Sequence, residues 1–543
     1  MDAISVSEIL QHQKDAQKVR RDENEAPESK RSRLADEDGV EAVGAEAGGG
    51  VDLLAALEED EAAIGPLDEA GVKKLLAAFE KRHLKNTEMR IKFPDAPTKF
   101  VDSEVELNQG IQELHAIAAE PIFYPLLWEG SSGNALAVLL QLISHDNKDI
   151  SVAVLDLFQE LTDAETLSEE AGGEEMEELA KRLVQAQALA MLVANLERLD
   201  ESRKDEADGV HNSLAIAENL LELQPEGTAE KALEQGLVAW LLKRVRQKAP
   251  FDGNKLYASE ILAVILQQSK DARLDLGKKD GIDILLSALA SYKRHNPNSA
   301  DEREFMENLF NCLCAALLES SNRGKFLDGE GLQLMNLMLR EKAESRESAL
   351  KVLNYALTGS EGKACSDKFV EILGLRTLFP LFLKTPGRAK RKDKSVEEHE
   401  EHVTAIIASL LRNCSDKNRQ RVLNKFLETD HIKVDRLVEL YLGYLEKVRV
   451  WEKAGESGEE KTEEEAYMGR LDAGLFTLQL LCLMLADICV SGAESIRSRA
   501  AKLMAMKGGS FEKAKEVLRE YSDYLGPDAA EERNRVQTLL LKL

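Results

Sequence analysis

Residues 135–163 read ALAVLLQLISHDNKDISVAVLDLFQELTD, and they divide into two helical runs around a polar turn at 144–149. In the second run Val154, Leu155, Phe158 and Leu161 recur at helical spacing and mark one apolar stripe. On the other side of the same helix Asp156, Gln159, Glu160 and Asp163 stand at i, i+3, i+4 and i+7, which makes a polar stripe. A single helix pair of this kind cannot cover its own apolar face. It needs copies of itself stacked on either side.

Copies are present. VHNSLAIAENLLEL (210–223) and the pair GLVAWLLKRV (236–245) and NKLYASEILAVILQQ (254–268) repeat the layout. Six segments begin near Gly133, Ala188, Gly236, Gly281, Gly331 and Gly374, with gaps of 43 to 55 residues. The armadillo and HEAT period is about 40–47 residues, so the shorter gaps match and the longer ones need inserts. Inserts are visible at 169–178, 246–254 and 384–394. The expected fold is an all-α, armadillo/HEAT-like right-handed superhelical solenoid with a concave groove and helical capping regions at both ends. Residues 1–65 carry few large apolar side chains and read as a disordered tail, with a short helix feasible at Val51–Ile64. The expected divisions are a helical cap over 66–130, repeats over 131–420 and a C-terminal helical region over 421–543.

The 543 residues hold 71 basic and 98 acidic side chains, a net charge of −27. Such a surface repels a phosphate backbone and attracts basic protein segments. Direct RNA contact is therefore not expected. The basic insert KTPGRAKRKDK (384–394) has no interleaved aromatic residue to stack a base, and reads as a solvated loop. The N-terminus lacks the layout of a secretory signal. The six cysteines are sparse and without CxxC spacing, which fits a reducing compartment. Leu471–Val490 has the length of a membrane span, but Asp472, Gln479 and Asp487 lie inside it, and a buried core helix is the expectation.

No phosphate loop, HExxH or GxSxG elbow is found, so neither an enzyme nor a cofactor is expected. EEHEEH (397–402) places His399 and His402 three apart, too few ligands for a closed zinc site. Two basic clusters, Lys18, Arg20 and Arg21, then Lys30, Arg31 and Arg33, form a bipartite nuclear-localisation pattern for an import receptor. The long third helices of the repeats are the expected groove lining: Asp156, Gln159, Glu160 and Asp163 on one, Glu218, Asn219 and Glu222 beside His211 and Ala215 on the next, and Glu260 on the third. Import receptors of this fold pair a Trp with an Asn four residues later on such helices. Here Asn219 and Asn413 match the Asn, but Ala215 and Ser409 stand where the Trp would be.

Particular strings add a resemblance: RIKFPDAPTKF (90–100), DEADGVHNSLAIAENL (205–220), PFDGNKLYASEILA (250–263), YKRHNP (292–297), GEGLQLMNLMLREK (329–342), LGLRTLFPLF (373–382) and GRLDAGLF (469–476). In these the chain resembles the beta-catenin-like family of nuclear armadillo proteins associated with the spliceosome. The resemblance implies association with the nineteen complex and binding of basic localisation-type segments of a Myb-related splicing factor. The expected function is thus a non-enzymatic nuclear protein-binding scaffold in pre-mRNA splicing. A nuclear import adaptor and a catenin-like transcription co-regulator are the alternatives. A homodimer and a monomer both remain open at this stage.

Overall fold

The computed structural model describes residues 67–129, 134–164, 173–248, 251–341, 343–385, 396–455 and 462–543. All regular elements among the described residues are helical. The tail at 1–65 with its six localisation residues, Gly133, and the cations at 388–394 lie outside them. The chain divides into two compact units, one ending at Gly329 and the other running from Glu330 to Leu543. The division falls inside the stretch read as continuous repeats.

In the first unit the helices Glu69–Lys92 and Val101–Ala118 pair antiparallel. Arg82 meets Glu113 at 2.7 Å, Lys85 meets Glu106 at 2.6 Å and Arg90 meets Glu104 at 2.6 Å, so one chain number rises as the other falls. From there a ladder of long helices forms: Val101–Ala118, Lys148–Thr162, Lys204–Leu223, Gly253–Gln268 and Ala300–Ala316, each packed on the next. Val154, Leu155, Phe158 and Leu161 are buried, as their spacing predicts.

Each full repeat holds three helices, of which the apolar pattern in the sequence marked only the second and third. Lys270–Lys278, Gly281–Leu289 and Ala300–Ala316 form one such unit. The additional first helix is short and polar (KDARLDLGK), with only Ala272, Leu276 and Gly277 buried, so it carries little apolar periodicity to read. It begins at Ser269, whose hydroxyl caps the Ala272 N–H at 3.3 Å.

The turn into each second helix repeats a backbone signature. Gln187, Gly236, Asp280, Glu330 and Leu373 all have φ between 56° and 89°, just ahead of Ala188, Leu237, Gly281, Gly331 and Leu375. The glycines after this left-handed residue serve close packing instead. A Cβ on Gly281 would sit 2.4 Å from Leu276 Cγ, and one on Gly374 would sit 2.5 Å from the Phe369 ring.

The second unit has its own ladder, Ser345–Leu357, Val396–Asn413 and Phe476–Ser491. The last of these lies in the apolar segment Glu464–Ser491, which is long and apolar enough to cross a membrane by length and composition. In the structure 72% of its most apolar window is buried within the protein. Asp487, 1% exposed, shows how the helix is held. Its two carboxylate oxygens bind Arg419 and Arg535, Arg535 also meets Glu532 at 3.3 Å, and Arg412 meets Glu532 at 3.1 Å. This network ties the helices Val396–Asn413, Asp416–Lys425, Phe476–Ser491 and Ala530–Lys542. At the entry to the apolar helix Gly474 has φ 104°, and a Cβ there would meet the Tyr444 ring at 2.8 Å, so only glycine fits.

All six cysteines are buried and none forms a disulfide with a described residue. Burial raises their thiols where a shift is resolved: Cys414 and Cys489 are pushed up to about 12, and Cys312 and Cys482 are also raised.

Candidate peptide-binding face

The polar stripe of Lys148–Thr162 faces the ladder helices on both sides. Toward the preceding helix, His115 Nδ1 lies 2.6 Å from Glu160 Oε2, and His115 Nε2 is 3.9 Å from Asp156 Oδ2. Toward the following helix, Asn212 Nδ2 donates to Asp156 Oδ1 at 3.1 Å and Asn219 Nδ2 donates to Thr162 Oγ1 at 3.0 Å. Gln159 turns along its own helix and donates to Asp163 at 3.1 Å.

Tyr257 is the hub of the next two rungs. Its hydroxyl donates to Glu218, and its ring lies 5.1 Å from that of His211. Burial, then the carboxylates of Glu218, Glu260 and Asp163, raise the Tyr257 phenol well above its ordinary range, so it stays a donor at any physiological pH. Glu218 alone bonds the hydroxyl, while Glu260 and Asp163 add negative charge around it. Tyr124 shows the same at the other edge: burial, then Asp163 and Glu160, raise its phenol. Its hydroxyl donates to the Ala118 carbonyl at 3.1 Å.

The eight expected residues therefore fall on one run of three helices. Asp156, Gln159, Glu160, Asp163, Glu218, Asn219 and Glu260 are partly exposed and Glu222 is exposed. Ala215 is buried and is not part of the polar stripe. Asn413, the other asparagine matched to an import-receptor pattern, does something else. It is buried, and its amide donates to the carbonyls of Leu357 and Gly359 at 2.8 and 2.7 Å, closing the end of the neighbouring ladder helix. His399 is likewise structural: its ring nitrogens meet Glu347 at 2.8 Å and the Leu381 carbonyl at 3.3 Å.

Sequence reasoning missed His115, Tyr124, Asn212 and Tyr257, the groups that position the carboxylates. Tyr257 and Glu260 are one turn apart in NKLYASEILA, and that polar pair within an apolar helix is the available signal.

Three-helix units stacked through a shared ladder define an armadillo-type repeat protein. Residues 51–519 match the family described as "Catenin-beta-like, Arm-motif containing nuclear". Human Beta-catenin-like protein 1 is 52% identical over 490 residues, covering 88% of this chain and 86% of that protein. The Beta-catenin-like protein 1 homolog of Schizosaccharomyces pombe is 31% identical over 484 residues, covering 87% and 82%. The solved structure of Uso1-1 aligns with a TM-score of 0.50 at 10% identity, over 77% of this chain and 74% of that one, a likeness of fold alone. The chain belongs to the catenin-beta-like family of armadillo proteins.

Proposed function

We propose that the chain is a non-enzymatic scaffold of the pre-mRNA splicing machinery in the nucleus, and that the acidic ladder face of its first unit holds Lys/Arg-rich segments of splicing factors. The observation that carries the reading is the run of partly exposed or exposed carboxylates Asp156, Glu160, Asp163, Glu218, Glu222 and Glu260 on three successive rungs, with Glu218 held by the Tyr257 hydroxyl. An extended basic segment crossing the rungs would meet a carboxylate at each. Every exposed pair contributes only about 0.2–1 kcal/mol, so affinity must come from several at once and must weaken with salt. The family description as nuclear supports the compartment. The Myb-related subunit of the nineteen complex is the partner that the resemblance favours, and the basic clusters at 18–33 are the proposed handle for the import receptor.

The direct test is titration of a Lys/Arg-rich peptide into wild type and into the double variant Asp156→Lys/Glu222→Lys. Glu160 and Glu218 are left in place because they hold His115, at 2.6 Å, and Tyr257, by a direct hydrogen bond, and thermal melting of the variant checks the loss of the Asp156–Asn212 bond. Weaker binding by the variant at low salt, with the difference shrinking at high salt, is the expected result. Equal affinity would move the site elsewhere. Purification from nuclear extract tests the setting: transport factors without splicing factors would overturn it.

A further inference from the structure

Two of the strings quoted above, GEGLQLMNLMLREK and LGLRTLFPLF, meet in the second unit at a place the acidic face does not use. The second helices Gly331–Arg340 and Leu375–Leu383 flank an open cleft of about 630 Å³. Its walls carry Arg340, Arg346 and Arg376 beside Asn336, and an apolar floor that includes Leu339 and Leu381. In a chain with a net charge of −27, three guanidinium groups around one cleft are a local reversal of sign.

The polar groups there are only partly satisfied from within. Arg346 donates to the Glu341 carbonyl, at 2.8 Å through Nε, which fixes its plane against the wall. Arg340 and Arg376 are exposed and make no ion pair with any described residue. Asn336 donates weakly to the Ile372 carbonyl at 3.4 Å, while its buried Oδ1 has no donor. Leu373 stands at the rim, 49% exposed and held at φ 66°.

We propose that this cleft is a docking site for an acidic peptide segment of a partner protein, one that places carboxylates against Arg340 and Arg376 and an apolar side chain on the Leu339–Leu381 floor. The apolar lining distinguishes a peptide from a bare anion, because a peptide supplies apolar side chains beside its carboxylates. The apolar floor and the lack of an aromatic lining residue to stack a base favour a peptide over RNA. Planar guanidinium groups suit carboxylates, which they bind through paired hydrogen bonds. The inference stands apart from the basic-segment reading, since it uses the other unit and the opposite charge.

The experiment titrates a fluorescein-labelled peptide of alternating Glu and Leu into the full chain, with a single-stranded RNA of equal length as the parallel probe. The variant Arg340→Glu/Arg376→Glu changes two exposed side chains. Lys293→Glu/Arg294→Glu, also exposed, changes the net charge equally in the first unit. The expected result is peptide binding at low salt, weakened about tenfold or more by the cleft variant and little by the control, with unchanged thermal melting of both. No peptide binding by wild type, equal loss in both variants, or binding unaffected by the cleft variant would overturn the proposal. So would RNA binding that exceeds peptide binding and is lost in the cleft variant.

Discussion

On the acidic face of the first unit's ladder, three carboxylates meet neutral or weakly basic partners: Glu160 with His115, Asp156 with Asn212, Glu218 with Tyr257. In the second unit the ladder helix Phe476–Ser491 is held by charge on charge, with Asp487 between Arg419 and Arg535 and Glu532 beyond. The first arrangement leaves a face that is acidic and partly wet. The second spends these charges inside the unit, and it presents a cationic surface at the Arg340–Arg376 cleft. One repeat architecture thus presents opposite charges at two places. The acidic place lies on the third helices of the repeats and the cationic one on second helices, so the sign of the charge follows which helix of the repeat is exposed.

The comparison breaks most sharply at Asp487. Asp487→Ala leaves Arg419 and Arg535 without their shared partner, and by the cost of breaking a buried ion pair should remove about 3–5 kcal/mol. Hydrogen exchange should rise across 330–543 and stay low over 67–329. A rise of equal size in both would show that the two units open together.

Phe158→Ala is the counterpart in the first unit, with an expected loss of roughly 3–5 kcal/mol from core truncation, toward the lower end if neighbours collapse into the gap. Nearest-neighbour coupling predicts that exchange spreads outward from the 148–162 helix to 101–118 and 204–223 first. Uniform exchange through the whole unit would instead indicate a globular core.

These effects also separate what was legible in the sequence from what was not. The repeat register was readable because Val154, Leu155, Phe158 and Leu161 recur at one helical spacing. The burial of Leu471–Val490 was legible from its internal carboxylates. The network that buries it was not, since residues 412, 419, 487, 532 and 535 share no periodicity and meet only through tertiary packing. The polar first helices escaped for the opposite reason: with few buried positions they leave no stripe. At the acidic face the carboxylates were visible as an i, i+3, i+4, i+7 pattern. His115 and Tyr257 were not, because each acts across to a neighbouring rung.

A smaller change sharpens the first half of the comparison. Tyr257→Phe removes the hydroxyl donated to Glu218 and should cost about 1.5–3 kcal/mol, the range for a hydrogen bond to a charged group. The readout is urea unfolding of the first unit, together with basic-peptide affinity. Unchanged stability with unchanged affinity would remove Tyr257 from the site.

The smallest expected effect is a pH dependence. Glu206, buried in the first unit, accepts from Lys148 at 2.6 Å and from the Asp200 N–H at 2.7 Å, and these bonds lower its carboxyl below the ordinary range. A lowered value means stability that is present above the ordinary carboxylate pKa and lost as pH falls through the folded one. Glu206→Gln should flatten that part of the acid limb in chemical denaturation at graded pH. An acid limb unchanged in the variant would assign the dependence to other carboxylates.

The sealed thiols give the two units separate clocks. Only the thiolate reacts with a maleimide or disulfide reagent, and burial suppresses it at Cys312 and Cys482 alike. Labelling at neutral pH should then proceed only during openings. Cys312 and Cys314 would time the first unit and Cys365, Cys414, Cys482 and Cys489 the second. The native cysteines thereby serve as internal reporters, and mass spectrometry of the labelled peptides would read the opening rate of each half of the chain without introducing a probe.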